Sequence, residues 1–247
     1  VGGLFVAQTP ANAATVSAYK TAVLADAPSA YYRLDEASGT SMVDASGHSH
    51  TGLYSGNVGH SAQGAVADGD MATKFSGSAA SATAALDLSA TNVITTEFWL
   101  NWTGTVGDDR LAAEFTDSSH PFWATDGSFY LSPDSAWDQA FEVSMGATAA
   151  RDGRFSGGKF TRPSGGAWHH YAIVLDRRAG TVPPYVDGVL QPFSYRVTGN
   201  SATNFGNLTL DLMSGLSSTH LGQGTLDEFA IYPRALSQAQ ITNHYIA

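Results

Sequence analysis

The sequence predicts an all-β protein, a two-sheet antiparallel β-sandwich with a short helix at each end. Three observations carry this. Only 14% of the 247 residues are charged, and Gly, Ala, Ser and Thr separate short apolar runs, a texture of strands and tight turns rather than amphipathic helices. Hydrophobic residues make up 43% and aromatics 11%, enough apolar surface to offset the chain entropy of one large core. Asp-Gly steps recur at Asp68-Gly69, Asp126-Gly127, Asp152-Gly153 and Asp187-Gly188, where the backbone accepts the positive φ of hairpin turns. No internal repeat, heptad run or low-complexity tract divides the chain, so residues 15–247 read as a single domain.

Residues 1–14 stand apart. Apolar Val1 to Ala7 precedes Pro10-Ala11-Asn12-Ala13-Ala14, which reads either as a signal-peptide remnant with a small-residue cleavage site or as an N-terminal arm that joins or packs on a neighbour. The apolar run is too short to span a bilayer. From Val16 to Ala25 the residues Val16, Tyr19, Val23 and Leu24 recur at helical spacing, and Pro28 ends the helix. Ala30 to Leu34 is the first strand, with Tyr31 and Arg33 on one face and Tyr32 and Leu34 on the other. Further strands are expected at Thr73 to Phe75, Phe98 to Trp102, Leu111 to Phe115, Phe129 to Leu131, Phe141 to Met145, Trp168 to Asp176, Tyr185 to Leu190, Leu208 to Leu212 and Leu226 to Tyr232. The hairpin at Asp187-Gly188 is the best defined, and Pro183-Pro184 before it suggests an edge or a bulge. After Pro233, Leu236, Ile241 and Tyr245 fit a closing helix, with Ser237 and Gln240 spaced as a capping box.

Charge and composition limit function. A net charge of -10, from 22 acidic and 12 basic residues without a Lys/Arg cluster, repels phosphate backbones and anionic lipid, so nucleic acid is not an expected partner. The carboxylate surplus is compatible with divalent cations, although a moderately acidic surface is more often a solubility device. With no Cys, disulfides, zinc-thiolate sites and cysteine nucleophiles are excluded. Catalysis is not expected. The residues Glu36, Glu97, Glu114, Glu142 and Glu228 are scattered, no Glu-x-Asp-x-x-Glu array places carboxylates on one strand face, and neighbours such as Asp227-Glu228 should point to opposite faces. There is also no Gly-x-Ser-x-Gly nucleophile elbow. The densest set of aromatic and polar residues runs from Phe115 to Phe141. Within it Trp123 and Trp137 are candidate stacking platforms for a sugar, flanked by Asp126 and Tyr130, although core packing accounts for each Trp as well.

Three segments in order resemble the laminin-G-like superfamily of concanavalin A-like jelly rolls. They are Ala30-Tyr31-Tyr32-Arg33-Leu34-Asp35-Glu36 with Val43-Asp44-Ala45-Ser46-Gly47; Trp168-His169-His170-Tyr171 followed by Tyr185-Val186-Asp187-Gly188; and Asp227-Glu228-Phe229-Ala230-Ile231-Tyr232 leading into Arg234-Ala235-Leu236-Ser237. The resemblance implies a structural Ca²⁺ joining the opening loop to the closing strand, held by the Asp44 and Asp227 side chains with backbone oxygens near Gly47 and His50. Asp44 in an Asx-turn and Asp227 in a buried hydrogen bond is the alternative. It further implies a secreted or cell-surface carbohydrate-binding or adhesion domain whose partner is a polysaccharide or cell-surface glycan. The alternative is a structural assembly protein, such as a phage tail or virion decoration or an extracellular filament subunit, that self-assembles through its N-terminal segment. A polysaccharide-degrading enzyme ranks below both.

Overall fold

The computed structural model describes residues 17–104, 110–117, 120, 125–134, 140–146, 154–215 and 220–247. The expected leader, residues 1–14, and the Asp152-Gly153 turn lie outside the described residues. Helix α1 (Ala18–Ala25) is followed by β1 (Ala30–Tyr32), β2 (Ser41–Met42), β3 (Gly52–Ser55), β4 (Gly59–Gln63), β5 (Met71–Ser76), β6 (Ser81–Asp87), β7 (Val93–Trp102), β8 (Ala113–Thr116) and β9 (Phe129–Ser132). The chain continues through β10 (Phe141–Gly146), β11 (Arg154–Phe160), β12 (Trp168–Asp176), β13 (Pro184–Val186), β14 (Val189–Leu190), β15 (Ser194–Val197), β16 (Asn207–Leu212), β17 (Gln223–Tyr232) and α2 (Gln238–Ile246). These form two antiparallel sheets. One has eight strands in the order β14-β13-β12-β7-β17-β5-β4, with β1 also paired to β17; the other has nine, in the order β15-β11-β10-β9-β8-β16-β6-β3-β2.

The main core lies between the sheets, because strand alternation sends one set of side chains from each inward. Phe98, Tyr171, Leu226 and Phe229 from the eight-stranded sheet meet Phe115, Phe129, Phe141 and Leu210 from the nine-stranded one. Aromatic stacking runs through this layer, with Phe98 against both Tyr171 and Phe229 and Phe141 against Phe160. A second cluster covers the outer face of the eight-stranded sheet, where Tyr19 and Val23 of α1 and Ile241 of α2 pack on Tyr31, Val174, Ala230 and Tyr232. Tyr31 and Tyr32 thus part to opposite faces, as their alternation requires. The strand ends at Tyr32 because Leu34 turns to φ 61°, yet Leu34 still reaches the main core.

Both helices start on side-chain caps. Ser17 accepts from the Lys20 amide, while Ser237 and Gln240 form the expected reciprocal capping box. The Asp187-Gly188 hairpin turns on two positive φ values, 50° and 74°, the mirror-image turn that matches strand twist. Its Pro184 opens β13, but β14 rather than β13 is the sheet edge. A proline at the first strand position interrupts no ladder interior.

Candidate functional site

The closing strand β17 changes its own register between Asp227 and Ala230: Asp227 pairs with Trp99 whereas Ala230 pairs with Glu97. One extra residue is accommodated, a bulge with Glu228 at φ 54°. Leu226 and Phe229 therefore both face the main core, and Asp227 and Glu228 share the opposite face. The expectation that these neighbours diverge fails for that reason, since simple alternation does not survive a bulge. Both carboxyls are fully buried.

Around them Arg33 gathers acids from distant segments. Its Nη2 donates to Glu228 Oε1 at 3.0 Å and to Asp68 at 3.2 Å, and it also pairs with Asp70, while Nη1 meets Asp35 at 3.4 Å. The Tyr31 hydroxyl donates to Glu228 Oε2. Asp227 Oδ2 accepts the Ala65 amide at 2.8 Å, and its Oδ1 is buried without a partner. Burial pushes Asp227 up to about 8, with the neighbouring Asp70 adding to the push. Burial and then Asp227 raise Glu228 well above the carboxylate range. One guanidinium does not neutralise Asp35, Asp68, Asp70, Asp227 and Glu228, so the centre must hold protons or a further cation. Oxygen donors of Asp68, Asp70 and Glu228 lie within 4.8 Å of one another, and the orphaned Asp227 oxygen is the donor chemistry calcium takes.

The expected metal set divides here. Asp44 Oδ1 accepts the amides of Tyr31 at 3.0 Å and Ser46 at 2.9 Å, and Oδ2 accepts that of His50 at 2.9 Å. These three amides hold the carboxylate in an Asx-turn. The His50 carbonyl takes the Tyr32 hydroxyl at 2.7 Å, and Gly47 supplies the loop's turn at φ 90°. Asp44, Gly47 and His50 thus form a closed turn, and Asp227 belongs with the Arg33 acids, which the sequence order did not reveal.

Next to this centre, a second buried network fastens the helices. Glu97 Oε1 accepts from Tyr19 at 3.0 Å and lies 2.9 Å from His170 Nε2; Oε2 lies 2.9 Å from His244 Nδ1. His244 Nε2 reaches Asp26 at 3.0 Å, and Asp26 also accepts from Arg234 at 2.9 Å. Although burial opposes its charge, hydrogen bonds from His170 and His244 lower Glu97 to about 2. The two helices are thus locked onto the eight-stranded sheet.

The nine-stranded sheet carries neither helix, and its outer face is polar. Pairing lines up Leu53, Thr83, Asp211, Glu114, Tyr130, Ser144, Gly157 and Val197 as one row across eight strands. A parallel row holds Ser132, Glu142, Lys159 and Ser194. The inward neighbours of these residues, among them Phe115, Leu131, Val143 and Leu210, are in the main core, so the rows point outward. Leu111 packs on Tyr130 and roofs the middle of the first row, whereas Ser194 is exposed and Lys159 half-buried at the β15 end. There a cleft of about 340 Å³ opens between β11 and β15. Arg196 Nη1 donates to Glu142 at 3.2 Å beside it. Asp211 faces Glu114 directly, and burial followed by the Glu114 charge pushes it up to about 7.

Of the expected ligand set, Tyr130 stands in this row. Asp126 pairs at 2.7 Å with Arg177 Nη2, a fully buried guanidinium that needs a counter-charge. Trp123 and Trp137 lie outside the described residues. The Asp211–Glu114 pairing was missed, because register between strands remote in sequence leaves no local pattern.

Two stacked antiparallel sheets, one sealed by the terminal helices and one with polar side chains on its outer face, define a jelly roll of the concanavalin A-like class. The chain belongs to the concanavalin A-like lectin/glucanases superfamily, whose family model matches residues 75–242. Among solved structures it is similar to domain 4 of AbnA, an extracellular GH43 arabinanase from Geobacillus stearothermophilus in complex with arabinotriose. That match has 19% identity and a TM-score of 0.63 and covers 88% of this chain and 98% of that one. The botulinum neurotoxin serotype D ligand-binding domain in complex with N-acetylneuraminic acid is similar over 92% of this chain and 52% of that one, with 12% identity and a TM-score of 0.65. Trypanosoma rangeli sialidase in complex with the inhibitor DANA matches at 14% identity and a TM-score of 0.61, over 88% of this chain and 32% of that one. At these identities the likeness is one of fold, and the chain spans about half of the neurotoxin domain. Among curated proteins none matches. No helix among the described residues is long and apolar enough to cross a membrane.

Proposed function

We propose that the chain is a non-catalytic carbohydrate-binding or adhesion domain of an exported protein, which meets a polysaccharide or cell-surface glycan on the outer face of its nine-stranded sheet. The observation that carries this is the asymmetry of the sandwich: helices close one outer face, while on the other the polar rows, buried in the middle at Glu114, Ser132, Glu142 and Ser144, reach the surface at Lys159, Ser194 and a cleft. Relatives of the same fold bound to arabinotriose and N-acetylneuraminic acid support it. The scattered Glu residues, none of them in a Glu-x-Asp-x-x-Glu array on one strand face, support the non-catalytic part of this reading. A calcium ion at Asp68, Asp70, Asp227 and Glu228 would tie the opening and closing segments together and relieve their mutual repulsion.

A glycan array with and without chelator tests the reading, together with Ser194→Trp, which fills the cleft from an exposed strand. Specific binding that Ser194→Trp abolishes is expected; a folded protein that binds no glycan in either condition overturns it. The assembly reading has one observation in its favour, the exposed Val189 and Leu190 on edge strand β14. Light scattering before and after removal of residues 1–14 tests it, and a monomer in both cases counts against it.

A further inference from the structure

Of the seven large hydrophobic residues exposed among the described residues, four meet at one corner: Val189 and Leu190 of β14, and Tyr245 and Ile246 of α2. The Thr242 hydroxyl donates to the Gly188 carbonyl at 3.1 Å, and Tyr245 packs beside the same glycine, which holds the end of the helix against the hairpin. Ile246 follows Thr242 by one turn, on the same side of α2. Leu190 pairs with Tyr185, a residue of the helix-covered face, so Leu190, Tyr245 and Ile246 share that face and Val189 takes the other. No charge interrupts them. Asp187 in the turn is engaged by His169 at 2.8 Å and by the His170 amide at 2.9 Å.

Strand β14 is also the outermost of its sheet, and its backbone is set to pair outward. The Gln191 amide donates to the Pro184 carbonyl at 2.8 Å, and hydrogen-bonded and open pairs alternate along an antiparallel ladder. Leu190, one position back, therefore turns its N–H and C=O away from β13. The other outermost strands are guarded in ways that β14 is not. Strand β4 is bulged between Gly59 and Ala62, with Ser61 at φ 60°; β15 carries an exposed Arg196; and β2, equally short, buries Met42.

We propose that β14 pairs antiparallel with β14 of a second copy about a twofold axis at Leu190, joining the two eight-stranded sheets edge to edge. A residue that offers one donor and one acceptor on the same edge is complementary to itself under that rotation, because each Leu190 amide donates to the other's carbonyl. The twofold brings both α2 ends to one side of the seam, where Tyr245 and Ile246 of each copy flank the Leu190 pair. A second copy fits better than a basic partner because the patch is uncharged, and two chains of net charge -10 meet there with least repulsion. With only two residues in each strand the contact is small, so the dimer is weak and reversible. The proposal stands apart from the glycan reading and gives the assembly reading a surface other than residues 1–14.

Sedimentation equilibrium of the full chain from about 5 to about 500 µM, the range in which small interfaces associate, tests this. A monomer–dimer equilibrium is expected. Leu190→Lys should weaken it about tenfold or more, because the twofold sets like charges directly opposite one another. Leu190→Pro, which removes the outward N–H and no bond to β13, should weaken it as well. Thermal unfolding of the dilute protein should be the same for both variants as for wild type, and hydrogen exchange of the wild-type Leu190 amide should slow as protein concentration rises. A monomer at every concentration overturns the proposal, as does a dimer that both variants leave intact. A dimer lost only on removal of residues 1–14 overturns it too and assigns assembly to that segment. None of these outcomes bears on the glycan array.

Discussion

Replacing Asp211 with Asn should stabilise the protein at alkaline pH and leave it unchanged in acid. Asp211 on β16 directly opposes Glu114 on β8, and burial, then that neighbouring charge, moves its titration from 3.8 to about 7. The folded chain therefore holds this proton at pH values where the unfolded chain has lost it. Stability is whole below the unfolded value, falls as pH rises toward the folded one, and is level beyond. At ~1.4 kcal/mol per pH unit the full span is worth about 4 kcal/mol. Asp211 is half-buried, and solvent screening reduces this to roughly 1–2 kcal/mol. Asn keeps the shape and removes the charge, so at about pH 8 its Tm should lie roughly 2–8 °C above wild type, and near pH 4 the two should coincide. Thermal unfolding followed by circular dichroism across this range measures the difference directly. A gap that is the same at every pH, or a variant less stable at pH 8, would refute the account of Asp211 as a carboxyl strained by its neighbour.

Glu97→Gln should cost roughly 3–5 kcal/mol in urea unfolding near pH 6, because it removes one member of a buried charged network; a loss below about 1 kcal/mol contradicts the network. The same network gives helix α2 a pH window. The contribution of Glu97, lowered to about 2 from 4.5, is present above 4.5 and lost as pH falls. That of His244, held above its usual 6.5 against burial by Glu97 and Asp26, is present below 6.5 and lost as pH rises through the folded value. Hydrogen exchange of α2 amides, corrected for intrinsic rates, should show more opening at pH 9 than at pH 6, and equal protection would count against it. Calcium at 100 times its dissociation constant should raise stability by about 2.7 kcal/mol, and Asp227→Asn should remove that gain; identical melting in calcium and in chelator removes the metal from the proposal.

The fold was legible where residue type and spacing act locally. Tyr31 and Tyr32 alternate as a strand requires, Ser237 and Gln240 form their box, and Asp187-Gly188 turns as an Asp-Gly step should. Strands β2, β3, β4, β6, β11 and β15 escaped notice because small or polar residues build them: β6 fills the core with Ala82, Ala84 and Leu86, and β4 lies at an edge with exposed Gly59 and Gln63. The site was less legible. That Asp227 joins Arg33, Asp68 and Asp70 depends on a bulge at Glu228, and that Asp211 meets Glu114 depends on pairing across the sheet. Neither follows from spacing, since each is settled only when distant segments dock.

The docked helices also govern how this domain is carried. Asp26 at the end of α1 bonds to Gln240 and His244 of α2, so the first and last described helices lie side by side against the eight-stranded sheet. A segment leaving α2 directly would therefore start behind the sandwich, on the side opposite the nine-stranded sheet and its cleft.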